Sequence, residues 1–288
     1  MAFAQVDGIE LCYDTFGEPD DSALLLVHGL GTQLTGWDEA FCGALADRGL
    51  FVVRFDNRDV GLSTKTPPPA PALVPGPGGF GLAGDPPYTL STMADDAAAL
   101  LDALGIPAAH VVGASMGGMI AQHLAFEHPD RVHSLTSIMS TTGAPDVGQP
   151  TPAALMALIT PAPAERAAYI EHVVRNWRVL SGPLFDEGRT RVRAAAGYDR
   201  SFHPLGAAFQ LAAIVSSGDR TERLKSISQP TLVIHGAADP LIDVSGGRAT
   251  AAAIPGARLI VLDEMGHDLP EPLWPQLIDA ITGHTIGW

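Results

Sequence analysis

The sequence predicts an α/β fold: a mostly parallel, doubly wound sheet of eight strands, with helices on both faces. Three observations lead there. The run Ala23-Leu24-Leu25-Leu26-Val27 is unbroken and apolar, as in a strand buried on both faces. Further strand patterns recur at 50–55, 109–113, 131–140, 230–235 and 258–262, with segments of helical period between most of them. The alternation then fails over 142–225, where helical segments follow one another, separated by Pro and Gly.

Taken in order, residues 3–16 read as two short strands turning at Asp7-Gly8. The strand at 23–27 ends in His28-Gly29-Leu30-Gly31, and Trp37 to Arg48 reads as a helix. The strand 50–55 closes on Asp56-Asn57-Arg58-Asp59. Residues 65–87 are rich in Pro and Gly without a period, and are expected to be a loop. Ser91 is the expected cap of a helix running to Leu104. Helical segments are expected at 152–160, 164–180, 189–197 and 204–218. Residues 1–141 and 226–288 are therefore expected to form the core, with 142–225 a helical cap inserted between two strands. A helix at about 244–253 and another at about 272–282 complete the chain.

The 288 residues suit one α/β core with an insertion, and 46% hydrophobic content supplies ample interior. Lys plus Arg number 17 against 32 Asp plus Glu, a net charge of −15. With no basic cluster, nucleic-acid binding is excluded, and docking on anionic lipid is opposed. Cys12 and Cys42 have no disulfide or metal-ligand spacing and read as small buried thiols. The amino terminus lacks a basic and an apolar leader region, and no run approaches the ~18 apolar residues of a membrane span. The expected placement is cytoplasmic.

The chemistry begins at Gly113-x-Ser115-x-Gly117, which follows an apolar strand and opens a helical pattern. This strand–turn–helix context is that of a nucleophile elbow, with the hydroxyl at a strand's carboxyl end and a helix amino terminus beneath it. Glycine is expected on either side because side chains there would collide. A serine hydroxyl needs a base to take its proton, and an imidazole needs a carboxylate to hold its tautomer. Asp239 follows the strand 230–235, and His267 follows the strand 258–262 in a Gly266-His267 loop. The order Ser115, Asp239, His267 is the one such sheets require. Asp243 and Asp263 compete for the acid's role. Of the ten histidines, only His267 lies in a loop after the last strand. His28 is read as a brace for the loop it opens, and the others mostly as surface or filler residues. The amides of Met116 and Leu30 are the expected oxyanion donors. Trp37, Trp177, Phe185, Phe202 and Phe209 are candidates for lining an acyl or ring pocket. No Gly-x-Gly-x-x-Gly follows a strand and no metal-ligand spacing appears, so neither cofactor nor metal is expected.

On His28-Gly29, Gly113-x-Ser115-x-Gly117, Gly236-x-x-Asp239 and Gly266-His267, the chain resembles the α/β-hydrolase superfamily over nearly its full length. The segments Phe55 to Thr64, His110 to Gly113, Trp177 to Gly182 and Pro230 to Ile234 are similar to the aclacinomycin methylesterase group and related bacterial esterases and lipases. The resemblance implies cofactor-free hydrolysis of a small-molecule ester by Ser115, Asp239 and His267, with the Leu30 and Met116 amides as the hole. It also implies a broad apolar pocket under the cap, since that group acts on a polyketide methyl ester. The long Pro/Gly tract at 65–87 departs from the pattern. Rival readings are a cofactor-free haloperoxidase or perhydrolase, an acyltransferase, and an acyl-ligand-binding protein without turnover. Dehalogenase and epoxide hydrolase chemistry needs a carboxylate where Ser115 stands.

Overall fold

The computed structural model describes residues 1–76 and 79–285. The chain opens with β1 (Ala2–Val6), β2 (Ile9–Phe16) and β3 (Ser22–Val27), then α1 (Glu39–Ala46) and β4 (Leu50–Phe55). A ribbon of β5 (Ala72–Gly76) and β6 (Gly79–Ala83) precedes α2 (Leu90–Ala103), β7 (Ala109–Ala114), α3 (Met116–Glu127) and β8 (Val132–Ile138). Five helices then follow without a strand: α4 (Pro152–Ile159), α5 (Arg166–Leu180), α6 (Glu187–Arg200), α7 (Pro204–Ser217) and the short α8 (Thr221–Leu224). The sheet resumes with β9 (Thr231–Gly236), α9 (Val244–Ala253), β10 (Arg258–Leu262) and α10 (Trp274–Thr285).

The eight-stranded sheet has the order β1-β2-β4-β3-β7-β8-β9-β10. The β1–β2 and β2–β4 pairs are antiparallel, and the other ladders are parallel. Strand periodicity divides the core in two. Leu25, Val27, Val53 and Phe55 face a layer with α2 and α3. Leu24, Leu26, Leu50 and Val52 face the opposite layer, with Phe41 and Leu45 of α1 and Leu277 and Ile281 of α10. Every residue of β7 is buried, so the strand that leads to Ser115 is held from both sides.

The tract at 65–87 is not simply a loop. Leu73 pairs with Leu82 and Val74 with Gly81 in a two-stranded antiparallel ribbon, and β6 runs against α7. Proline is tolerated in such a ribbon, whose outer edges have no ladder to complete. Pro77 and Gly78 lie outside the described residues. Thr89, not Ser91, caps α2: its hydroxyl accepts from the Thr92 amide at 3.3 Å in a capping box. The Ser91 hydroxyl donates instead to Glu127, at 2.9 Å. Asp38 caps α1 through the Ala40 amide, so that helix begins two residues later than its apolar period suggests. Both cysteines are buried and free. Among the described residues, no helix is long and apolar enough to cross a membrane.

Candidate active site

The elbow joins β7 to α3 at Ser115, whose backbone takes φ +57° and ψ −120°, outside the range a side chain ordinarily accepts. The turn survives because its neighbours over-determine it. The Ser115 amide donates to the Ile138 carbonyl at 2.9 Å, and the Ser115 carbonyl accepts from Ser140 Oγ at 2.9 Å. A Cβ at Gly113 would overlap the Gly117 backbone, and one at Gly117 would overlap the Val27 carbonyl. The two glycines thus answer different contacts: the first lets the turn close on itself, and the second lets α3 rest on β3.

His267 stands beside this hydroxyl. Its Nε2 lies 2.9 Å from Ser115 Oγ, and its Nδ1 lies 2.8 Å from Asp239 Oδ2. An ionised carboxylate can only accept, so Nδ1 carries the proton and Nε2 is left to accept from the serine. The other Asp239 oxygen accepts from the Leu241 and Ile242 amides, both at 2.9 Å. The two loops interlock through their backbones: the Ala238 amide donates to the Met265 carbonyl at 3.1 Å, and a Cβ at Gly236 would overlap that carbonyl. This close approach is the physical reason for glycine in Gly236-x-x-Asp239. Of the competing acids, Asp243 caps α9 through the Ser245 amide, and Asp263 is exposed in a turn. Neither meets His267.

The loop after β3 runs against the elbow. A Cβ on Gly29 would sit 3.1 Å from that of Ser115. Asn57 Nδ2 donates to the His28 carbonyl at 3.2 Å, the Thr32 amide to the Gly29 carbonyl at 3.2 Å, and Thr32 Oγ1 to the Leu30 carbonyl at 3.3 Å. The Gly31 amide donates to Gln210 Oε1 at 2.7 Å. The Gly29 amide is taken up by His28 Nδ1 at 2.7 Å, so that among the described residues the Leu30 amide is left as the loop's available donor. The Met116 amide opens α3 and has no acceptor within the helix. His28 is pushed down to about 3, first by burial and then by the Arg193 charge, so its ring remains neutral. The ring packs 5.1 Å from Trp37 and braces the loop.

Three buried polar residues escaped sequence reasoning. Asp56 is wholly buried, and accepts from the Leu34 amide at 2.6 Å and the Leu62 amide at 2.8 Å while pairing with Arg200 of α6 at 2.8 Å. His235 is not filler: it lies buried beneath the acid, its Nε2 donating to the Ile242 carbonyl at 2.8 Å, and burial holds it neutral. Gln210 is a lone polar side chain on the buried face of α7, among Gly206, Phe209 and Ala213, and that mismatch was visible in the sequence. The aromatic candidates do not converge. Trp37 and Phe209 have no exposed surface and pack in opposite core layers. Trp177 is half-buried against the core, Phe185 lies under the Arg178 guanidinium, and Phe202 packs with Tyr169 and Tyr198.

A family model described as alpha/beta hydrolase fold matches residues 22–271. The chain belongs to the alpha/beta hydrolase family. It is 33% identical to rhodomycin D methylesterase from Streptomyces sp. strain C5, covering 97% of this chain and 96% of that protein. It is 31% identical to a poly(3-hydroxyalkanoate) depolymerase from Ectopseudomonas oleovorans, over 87% of this chain and 80% of that one. The solved enol-lactonase from Burkholderia xenovorans LB400 superposes with a TM-score of 0.71 at 25% identity, covering 99% of this chain and 98% of that one. In this hydrolase, the elbow, the acid turn and the histidine loop all stand at the carboxyl ends of parallel strands, where ligands bind in sheets of this kind.

Proposed function

We propose that the chain is a serine hydrolase of carboxylic esters, with Ser115 as nucleophile, His267 as general base and Asp239 as the orienting acid. One observation carries the reading: a serine in a strained turn donates to an imidazole that is itself fixed by a buried carboxylate, over 2.9 and 2.8 Å. Ser115 Oγ attacks the ester carbonyl while His267 Nε2 takes its proton. The oxyanion accepts from the Leu30 and Met116 amides. The tetrahedral intermediate collapses, His267 gives its proton to the departing alcohol, and an acyl-enzyme remains. Water, deprotonated by the same imidazole, then attacks the acyl carbon and releases the acid and Ser115.

The likeness to methylesterases supports a methyl ester on a bulky acyl group as the substrate class, bound beneath a cap formed by residues 142–225. The test is a panel of p-nitrophenyl esters of graded chain length set beside bulky methyl esters, with Ser115→Ala as control. The reading expects turnover that vanishes in Ser115→Ala and highest kcat/KM on the bulky methyl esters. Equal turnover by wild type and Ser115→Ala overturns the mechanism. A preference for unbranched medium-chain esters overturns the substrate class.

A further inference from the structure

The loop that supplies one oxyanion donor is tied to the helical insertion at two points: Gln33 Nε2 donates to the Gly197 and Ser201 carbonyls at 2.7 and 2.9 Å, and, nearer the donor, Gln210 holds the Gly31 amide. Gln210 of α7 is fully buried, yet all its reach is used at the core: Oε1 accepts from the Gly31 amide at 2.7 Å, and Nε2 donates to the Arg58 carbonyl at 2.8 Å. The amide thus bridges the loops after β3 and β4. Helix α7 can come this close because Gly206, one turn earlier, lies against the Asp59 carbonyl, where a Cβ would overlap it. Gly31 takes φ +66°, a conformation available to glycine at little cost, so the loop alone does not select it strongly. The peptide carrying the Leu30 N–H is held on its carbonyl side by the Thr32 amide, and the following peptide is held by Gln210. With both planes fixed, the Leu30 N–H has one direction left.

We propose that Gln210 is a positioning residue for the oxyanion hole, through which docking of α7 sets the Leu30 amide for the tetrahedral oxygen. The inference rests on the ester-hydrolase reading above. It concerns transition-state stabilisation, because a correctly aimed donor acts most strongly when negative charge develops on the carbonyl oxygen. Gln210→Met keeps the length and removes both hydrogen bonds. Gln210→Glu keeps an acceptor in the place of Oε1 but sets an acid against the Arg58 carbonyl.

The experiment measures kcat and KM on a p-nitrophenyl ester, and urea midpoints, for wild type, Gln210→Met, Gln210→Glu, Ser115→Ala and Arg189→Ala. Arg189 also joins the insertion to the core, pairing with Asp38 at 2.6 Å, but does not touch the loop. Gln210→Met is expected to lower kcat about tenfold with KM unchanged, less than outright loss of a donor, because the amide is misaimed rather than removed. Gln210→Glu is expected to recover much of kcat despite a lower urea midpoint, and Arg189→Ala to leave kcat unchanged. A purely structural role gives the opposite order, with Glu slower than Met in step with stability, and overturns the proposal. So does a Gln210→Met variant with wild-type kcat while Ser115→Ala is inert. An active Ser115→Ala instead overturns the ester-hydrolase reading itself. Should neither Gln210 variant fold, amide exchange of wild-type Gly31 decides by NMR: slow exchange supports the tether, and exchange at the free-peptide rate overturns it.

Discussion

The sheet carries a histidine–serine hydrogen bond at each end. At the amino end, His110 Nδ1 lies 2.8 Å from Ser134 Oγ; at the carboxyl end, His267 Nε2 lies 2.9 Å from Ser115 Oγ. The distances are nearly the same, and both pairs are sheltered from solvent. Everything else differs. His110 is pushed down to about 4 by burial and by His133 and His284, with no acid among its causes. Ser134 sits within β8, in regular strand. His267 is backed by Asp239, and Ser115 stands at a strained turn with a helix amino terminus beneath it. A serine near an imidazole is therefore ordinary packing chemistry. A carboxylate behind the ring and donors ahead of the oxygen are what make it a candidate for catalysis.

The contrast can be broken most sharply by removing one hydroxyl at a time. Ser115→Ala is expected to lower kcat by roughly 10⁴- to 10⁶-fold, whereas Ser134→Ala leaves it unchanged in the same ester assay. Asp239→Asn comes next. The side-chain amide would meet Nδ1 as a donor and favour the wrong tautomer, lowering kcat by about 10⁴-fold while circular dichroism shows the fold retained.

Glycines sharpen the same comparison in stability. Gly117→Ala would drive a methyl into the Val27 carbonyl and is expected to cost about 3 kcal/mol in urea unfolding. Gly105, near the amino end, has φ +69° but open space around it. There Gly→Ala carries only the backbone penalty, about 1 kcal/mol.

The last expected effect is on acid stability. His110 has a folded pKa of about 4 against an ordinary 6.5, so folding favours its neutral form. Its contribution is complete above pH 6.5 and is lost as pH falls from there towards 4. His110→Gln keeps a partner for Ser134 and removes the titration. Its thermal midpoint should fall less than that of wild type between pH 6.5 and 4; parallel curves would contradict the assignment.

Legibility in the sequence follows how local each feature is. Strands such as 23–27 and the elbow announce themselves because their apolar runs and glycines answer contacts made within a few residues or across one ladder. Asp239 and His267 could be named from chain order and strand ends, although nothing local separates Asp239 from Asp243. Their difference is only that two amides and His267 converge on the first, while the second caps a helix. The β5–β6 ribbon was hidden because Pro and Gly mask its pairing, and its support comes from α7, far along the chain. The aromatic residues misled for the converse reason. Trp37 and Phe209 have the composition of a pocket wall, but only tertiary packing decides which side of the wall they occupy.

The most direct measurement is active-site labelling with a fluorophosphonate, followed by peptide mass spectrometry. The account predicts one adduct per chain, on the peptide carrying Ser115, with ester turnover lost in proportion to labelling. An adduct on another residue, or full turnover after Ser115 is modified, would contradict it.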